Sequence, residues 1–564
     1  MTRTPEPSAR TGDRPDARAV ERRIERSARE LFGFRALRPG QVHAIRTLLE
    51  GRDTLAVMPT GGGKSAVYQL GGLLREGLTV VVSPLVALQS DQVESMASAG
   101  IANGAALNAT LPDHARANVL DRLAAGRLAF LLLAPEQLLA SSSAADLVER
   151  LAAARPTLFV VDEAHCISDW GHDFRPEYLR LADVADRLGR PPVLALTATA
   201  SPEVRDEIVE RLRMRDPAVV VRGFDRPNIW LGVETFEDAA AKLRALVEQV
   251  QAEEPPGIVY AATRRRVEEI AALLREAGVD ASAYHAGLGR RERSAVQQAF
   301  MRGECDVMVA TVAFGMGVDK ADVRFVCHAD APGSVDAYHQ QFGRAGRDGL
   351  PARAHLLFRP ADLSLRRFFA ARGALEPRDV QRLLAALERL GREASTNELA
   401  QRARLGRSRT ATALTRLADA GLISLLPDGT VQAADGDASL ASAVEAAAEA
   451  VERHRLLERT RVEMLRQYAE TRDCRRRFIL NYFGQAAPEP CGNCDTCDAG
   501  LPQALEQERD LPFPINGSVR HPRFGPGRVV RYEDGRIVIL FEDAGYRTLL
   551  TDAAVRAGRL RPAP

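Results

Sequence analysis

Short apolar runs recur along the first 360 positions and alternate with longer amphipathic stretches. TLAVM from Thr54, LTVVV from Leu78, LAFLLL from Leu128, FVV from Phe159 and PVLAL from Pro192 are apolar on successive residues, not on every second one. That pattern suits strands buried on both faces of a parallel sheet, with the amphipathic stretches as crossover helices. It predicts an α/β fold: a doubly wound parallel sheet over 21–222. GIVYAA from Gly257, ASAYHAG from Ala281, DVMVAT from Asp306 and RFVCHAD from Arg324 repeat the pattern and predict a second such domain over 223–365.

Beyond this the pattern changes. Over 376–433, a helix DVQRLLAALERL precedes two helical stretches that flank a turn at Gly406, and Asp428-Gly429 turns a hairpin. That order predicts a winged helix. An Ala-rich segment within 440–500 predicts long helices that break near Asp473, ahead of a cysteine cluster. Pro-rich 501–513 reads as a linker, and 514–560 carries short alternating strands with Gly and Asp-Gly turns, as in a small SH3-like barrel. Residues 1–20 read as a disordered arm.

Composition narrows the function classes. With 46% hydrophobic and 27% charged residues, the 564-residue chain reads as a soluble globular protein of several domains. Its net charge of +1 means that nucleic-acid affinity has to come from local patches. Neither an apolar run of 18 residues nor the apolar core of a secretory signal is present, so the expected location is cytoplasmic, with no membrane partner. Seven cysteines, four of them clustered late in the chain, point to a reducing compartment and a metal site.

Two stretches carry the candidate chemistry. The FVV strand delivers Asp162 and Glu163 at its carboxyl end, where open α/β sheets hold ligands. Asp162 suits Mg²⁺ through its water shell, and Glu163 suits orienting and deprotonating a water that attacks phosphate. About a hundred residues upstream, MPTGGGKS places Thr60, Gly61, Gly62, Gly63, Lys64 and Ser65 at a strand-to-helix turn. Backbone N–H groups of such a turn cradle phosphates, Lys64 reaches the β/γ-phosphates and Ser65 binds Mg²⁺, which predicts an ATP site. Met58 stands where the usual motif has its first Gly. Lysine is otherwise rare: of 76 basic residues only Lys64, Lys242 and Lys320 are lysines. A lysine kept after three glycines marks a need for a compact point charge.

The second domain offers no phosphate loop of its own but presents Asp319 after a Gly-rich turn, then Gln340, Arg344 and Arg347 in YHQQFGRAGRDG. Arginines three apart between glycines suit a γ-phosphate reached across a cleft. Two such domains sharing one ATP form a clamp that converts hydrolysis into movement. Cys474, Cys491, Cys494 and Cys497, spaced C-x16-C-x2-C-x2-C, suit a tetrahedral structural Zn²⁺ site. Five arginines and no acid lie between Arg402 and Arg416, so Arg407 and Arg409 on the second helix of the winged-helix pair are candidate phosphate contacts. Phe34, Arg38 and Gln41, in LFGFRALRPGQ, suit either a base-stacking pocket or a hydrophobic helix cap.

The order of MPTGGGKS, DEAH, TATA, DVMVAT, AFGMGVDK and QFGRAGRDG resembles a superfamily 2 helicase. FGFRALRPGQ, DEAHCISDWGHDFRPEYLRL and the cysteine cluster narrow the resemblance to the RecQ family of DNA helicases, over about 30–365 and again over 445–500. The resemblance implies two RecA-like motor domains, ATP-dependent 3′-to-5′ unwinding of tailed or forked DNA, and roles in repair and recombination. It implies an adenine pocket at Phe34, Arg38 and Gln41. It also implies an aromatic-rich loop from Ser168 to Arg175, in which Trp170, His172 and Phe174 meet single-stranded DNA; stacking beside the catalytic carboxylates fits that role. In the family the winged helix follows the zinc module; here it precedes it, either displaced or an unrelated insertion. The last module resembles the Tudor-like end of UvrD-type helicases, which implies a protein partner such as RNA polymerase or a repair factor. Alternative readings are a translocase that moves without separating strands, an RNA helicase, and a recruited factor without enzymatic work.

Overall fold

The computed structural model describes residues 17–563 apart from 60, 85, 109–110, 139–141, 169–174, 316–319, 365–376, 391–392, 420–421, 426–429, 434–451, 453–455, 457–458, 488, 503–510, 516, 534 and 542–543. The first set of apolar runs forms β1 (Thr54–Val57), β2 (Thr79–Val82), β3 (Gly104–Leu107), β4 (Phe130–Leu133), β5 (Leu158–Val161), β6 (Val193–Thr197) and β7 (Ala218–Val221). All pair in parallel in the order β3-β4-β2-β5-β6-β1-β7. Every residue of β1, β2, β4, β5 and β6 is buried, as runs covered by helices on both faces require. The second set forms β8 (Ile229–Thr235), β9 (Gly257–Tyr260), β10 (Ala281–Tyr284), β11 (Val307–Ala310), β12 (Phe325–His328) and β13 (Ala352–Phe358). These are also parallel, ordered β10-β11-β9-β12-β13-β8. The two RecA-like domains are therefore present.

Residues 377–433 build a separate core from Val380, Leu383, Leu399, Leu414, Leu417 and Val431. Helices Pro377–Arg389, Thr396–Ala403 and Arg407–Asp419 pack with β14 (Glu393–Ser395), β15 (Ile423–Leu425) and β16 (Thr430–Ala433) in the antiparallel order β14-β16-β15, a winged-helix arrangement. Ser395 starts the middle helix with a capping box: its hydroxyl accepts from the Glu398 N–H, and the Glu398 carboxylate accepts from the Ser395 N–H. The Asp428-Gly429 turn lies outside the described residues. Helix Arg407–Asp419 rests against the short turn Pro176–Arg180 of the first domain.

The C-terminal module is an antiparallel sheet of β17 (Ser518–His521), β18 (Gly525–Glu533), β19 (Arg536–Phe541), β20 (Gly545–Leu550) and β21 (Arg561–Pro562). Its order β20-β19-β18-β17-β21 does not join the two edges among the described residues, so the expected barrel is seen as an open sheet. Its last strand runs to Pro562, past the predicted end at 560. Between the motors and this sheet stand the helical residues 459–470, the helix Arg475–Tyr482 and the cysteine turn. Lys242 is buried against Asp362 at 2.6 Å, and buried Lys320 pairs with Asp322 at 3.2 Å, whereas Lys64 opens a helix. No helix among the described residues is long and apolar enough to cross a membrane.

Candidate nucleotide and metal sites

After β1 the chain turns through Met58–Gly63 into the helix Lys64–Arg75. Gly61 and Gly63 hold φ of 74° and 73°, the left-handed region that a side chain resists. Gly62 is needed for space: a Cβ there would lie 2.6 Å from the Pro59 carbonyl oxygen. The carbonyl side of the turn is gripped from outside. The Gln41 amide donates to Gly62 O at 3.2 Å and Gly63 O at 2.9 Å, and its Oε1 accepts from the Arg38 N–H at 2.8 Å. The Arg38 guanidinium donates to Gly61 O at 3.0 Å. Phe34 stacks on Phe32, with ring centroids 5.5 Å apart, and stays exposed. Arg38 and Gln41 thus meet at the phosphate loop, with Phe34 nearby in sequence on an open face. Thr60 lies outside the described residues.

Asp162 leaves the carboxyl end of β5, and its backbone N–H is held by Val82 O at 2.9 Å. One carboxylate oxygen accepts from the Glu163 N–H at 3.0 Å, and the other is 3.5 Å from the Ser83 hydroxyl. Burial, then the neighbouring Glu163 carboxylate, push Asp162 up to about 6, while Lys64 pulls the other way. Glu163 sits at φ 49°, a strained setting for a non-glycine residue. His165 Nδ1 lies 3.3 Å from Glu163 Oε2 and 2.9 Å from the Thr197 hydroxyl, which also lies 3.0 Å from Thr199 O. A buried chain of polar contacts therefore ties the acid pair to the end of β6.

The second domain closes the site from the other side. Gln340 lies on the helix Val335–Phe342, and Arg344 and Arg347 follow it. The Arg347 stem lies against the phosphate loop, since a Cβ added at Gly61 would sit 3.3 Å from Arg347 Cγ. Arg344 reaches back to its own domain, 3.3 Å from where a Cβ of Gly315 would be. Asp319 is outside the described residues. Sequence reading passed over Arg226, whose guanidinium bonds to the backbone of the arginine loop.

The predicted nucleic-acid residues divide. Ser168 is fully buried and donates to Glu207 at 2.5 Å, which makes it an anchor for the loop that follows. Arg175 donates to Pro84 O at 3.1 Å, at the other end of that loop. Trp170, His172 and Phe174 lie outside the described residues. Arg409 is 3.6 Å from the buried carboxylate of Asp379, so part of its charge is spent inside the winged helix. Arg407 begins the same helix.

The four predicted cysteines converge, with all sulfurs within 4.8 Å of one another and Cys491 and Cys497 3.9 Å apart. Tetrahedral Zn²⁺ with thiolates at about 2.3 Å needs sulfurs about 3.8 Å apart, so the donor set fits. Backbone N–H groups of Arg477 and Cys491 point at Cys474 Sγ at 3.5 Å and 3.3 Å, and the Asn493 N–H points at Cys491 Sγ at 3.3 Å. Such N–H donors favour thiolates over thiols.

The family model for DEAD/DEAH box helicases matches residues 38–208, that for the helicase conserved C-terminal domain 241–349, and that for RecQ zinc-binding 436–498. The probable ATP-dependent DNA helicase RecS of Bacillus subtilis is 39% identical over 368 residues, covering 65% of this chain and 73% of that one. The ATP-dependent DNA helicase RecQ of Pasteurella multocida is 35% identical over 469 residues, covering 83% of this chain and 61% of that one. The chain thus spans about three fifths of the RecQ relatives' length. A solved structure of the DUF1998 helicase MrfA bound to DNA aligns with TM-score 0.53 at 19% identity, over 76% of this chain and 61% of that one, a likeness of fold alone.

Proposed function

Because this chain belongs to the RecQ family of DNA helicases, we propose that it moves 3′ to 5′ along single-stranded DNA at the cost of ATP and separates the duplex ahead. Lys64 holds the β/γ-phosphates, and Ser65 and Asp162 hold Mg²⁺, whose chemistry is to neutralise phosphate charge. Glu163, kept in place through His165, orients and deprotonates the attacking water. Arg344 and Arg347 meet the γ-phosphate in the closed state, with Asp319 and Gln340 at the same edge. Phe34, Arg38 and Gln41 take the adenine side. The observation that carries this reading is the meeting of three elements: the Gly61–Gly63 loop, the β5 carboxylates, and Arg347 from the other domain lying on Gly61.

Strand engagement is assigned to the loop between Ser168 and Arg175, with Trp170, His172 and Phe174 as its stacking and phosphate contacts. Arg407 and Arg409 add backbone contacts from the winged helix. Four cysteines hold Zn²⁺ in a closed structural site. The C-terminal sheet serves as a docking face for a protein such as RNA polymerase or a repair factor, and the work is done in the cytoplasm on tailed or forked DNA during repair and recombination.

The test is ATP hydrolysis and strand displacement on 3′-tailed, 5′-tailed and blunt duplexes, with Glu163→Gln as control. Displacement of the 3′-tailed substrate alone is expected, with Glu163→Gln lowering turnover by about 10²-fold or more. Hydrolysis stimulated by DNA without displacement would favour the translocase instead, a reading motivated by the winged helix preceding the zinc module.

A further inference from the structure

Arginine fingers act only when their loop is held. Here the loop's N–H groups bond within the second domain, Ala345 to Phe342 O at 3.0 Å and Gly346 to Val323 O at 2.8 Å, while several of its carbonyls are held from the linker. Arg344, Ala345, Gly346 and Arg347 follow the helix Val335–Phe342, whose last turn closes on the Gly343 N–H. Gly346 sits at φ 55°, between the two arginines. We propose that Arg226, in the linker joining the motor domains, is the positioning residue that fixes this loop and so aims Arg347 at the nucleotide.

The inference rests on the nucleotide-site reading above. Arg226 donates to Gly343 O at 2.5 Å, to Ala345 O at 2.7 Å and to Gly346 O at 3.1 Å. One planar guanidinium therefore gathers three carbonyls, a task that a lysine ammonium lacks the geometry for. A cation at a helix C-terminus is also favoured by the helix dipole. Two residues on, the Asn228 amide donates to Gly346 O and Leu350 O, both at 2.8 Å. A Cβ on Gly346 would collide with that amide.

The linker is itself clamped by the zinc module. Arg476 bonds to Asp225 at 2.7 Å and to Ile229 O at 2.6 Å, and Gln485 Oε1 accepts from the Phe224 N–H at 2.9 Å. Asn493 donates to Pro227 O at 2.9 Å. The segment on both sides of Arg226 is thus anchored on the module that the cysteines organise. Burial, then the charges of Arg347, Arg38 and Arg476, bring Arg226 down to about 10, which leaves it charged at neutral pH.

The experiment is DNA-stimulated ATP hydrolysis by the full-length chain as wild type, Arg226→Ala, Arg347→Ala and the double variant, with zinc content and single-strand binding measured alongside. Arg226→Ala is expected to lower kcat about 10- to 100-fold with KM for ATP moved less than about threefold and zinc content unchanged, because a misplaced group costs turnover more than binding. In the Arg347→Ala background the second change is expected to cost less than about twofold, since both act through one loop. A kcat of Arg226→Ala within twofold of wild type, or losses that multiply in the double variant, overturns the proposal. If Arg226→Ala does not fold, Asn228→Ala carries the same test, with a drop of about three- to tenfold expected and an unchanged kcat overturning it. A wild type that hydrolyses no ATP would instead sink the nucleotide-site reading.

Discussion

His339 lies one residue from Gln340 and shows how a single proton can be tied to the architecture. Its Nε2 is 2.9 Å from the Phe224 carbonyl, which only accepts, so Nε2 carries a proton. Phe224 and Phe483 pack around it, and burial pushes it down to about 4. The folded value lies below the ordinary 6.5, so the unfolded chain takes the proton first as pH falls. Stability from this group is whole above about pH 6.5 and is lost toward pH 4, by up to about 3 kcal/mol. Urea melts at pH 7.5 and pH 5 measure the loss, and His339→Gln is expected to be less stable at pH 7.5 yet to lose less between the two. Lys64, Asp162, Glu163 and the four cysteines were legible from the chain because each sits in a local pattern whose chemistry dictates its spacing. Arg226 was not, because its partners are carbonyls 117 to 120 positions away, and carbonyls carry no residue signature. Ser168 looked like a surface contact beside a tryptophan, yet Glu207 on a later helix buries it.

Helix Pro202–Arg211 does more than pack on the first sheet. On one side Glu207 holds Ser168, at the root of the loop assigned to single-stranded DNA. On the other, Arg205 donates to Phe483 O at 2.6 Å, and Arg528 of the C-terminal sheet lies 3.9 Å from Glu203 and 3.5 Å from Asp206. The sheet also covers the zinc module: Arg531 stacks over Phe478 at 4.4 Å, Arg531 donates to Gln467 at 2.9 Å, and Tyr546 faces Tyr482. Alternating strands and turns made this element visible in the sequence, but its docking depends on contacts between distant segments, which no local pattern reports. Removing residues 511–564 would bare Phe478 and Tyr482, so the shortened chain is expected to melt several degrees lower and to aggregate more readily. Differential scanning calorimetry with light scattering checks both, and a melting temperature equal to that of the full chain would show the sheet to be a passive appendage.

At the scale of the molecule, the cysteine turn reaches the motor through β8: Cys494 bridges to Leu231, and Asp495 accepts from the Val233 N–H at 2.9 Å. Cys494→Ser is expected to abolish bound zinc, one ion per chain in the wild type, and to lower stability by several kcal/mol, read by metal analysis and chemical unfolding. The two parallel sheets were foreseeable from unbroken apolar runs. How the later modules lean on the linker was not, since side chains scattered between Asp225 and Asn493 build that contact. Lastly, the chain's near-exclusive use of arginine makes its amine chemistry unusually sparse. Lys242 and Lys320 are buried in ion pairs, which leaves Lys64 as the accessible ε-amine. Acylating reagents that label most proteins all over would here silence the motor at one address. Mass-spectrometric mapping after sulfo-NHS-acetate is expected to find Lys64 modified in parallel with loss of hydrolysis, and excess ATP with Mg²⁺ to shield it.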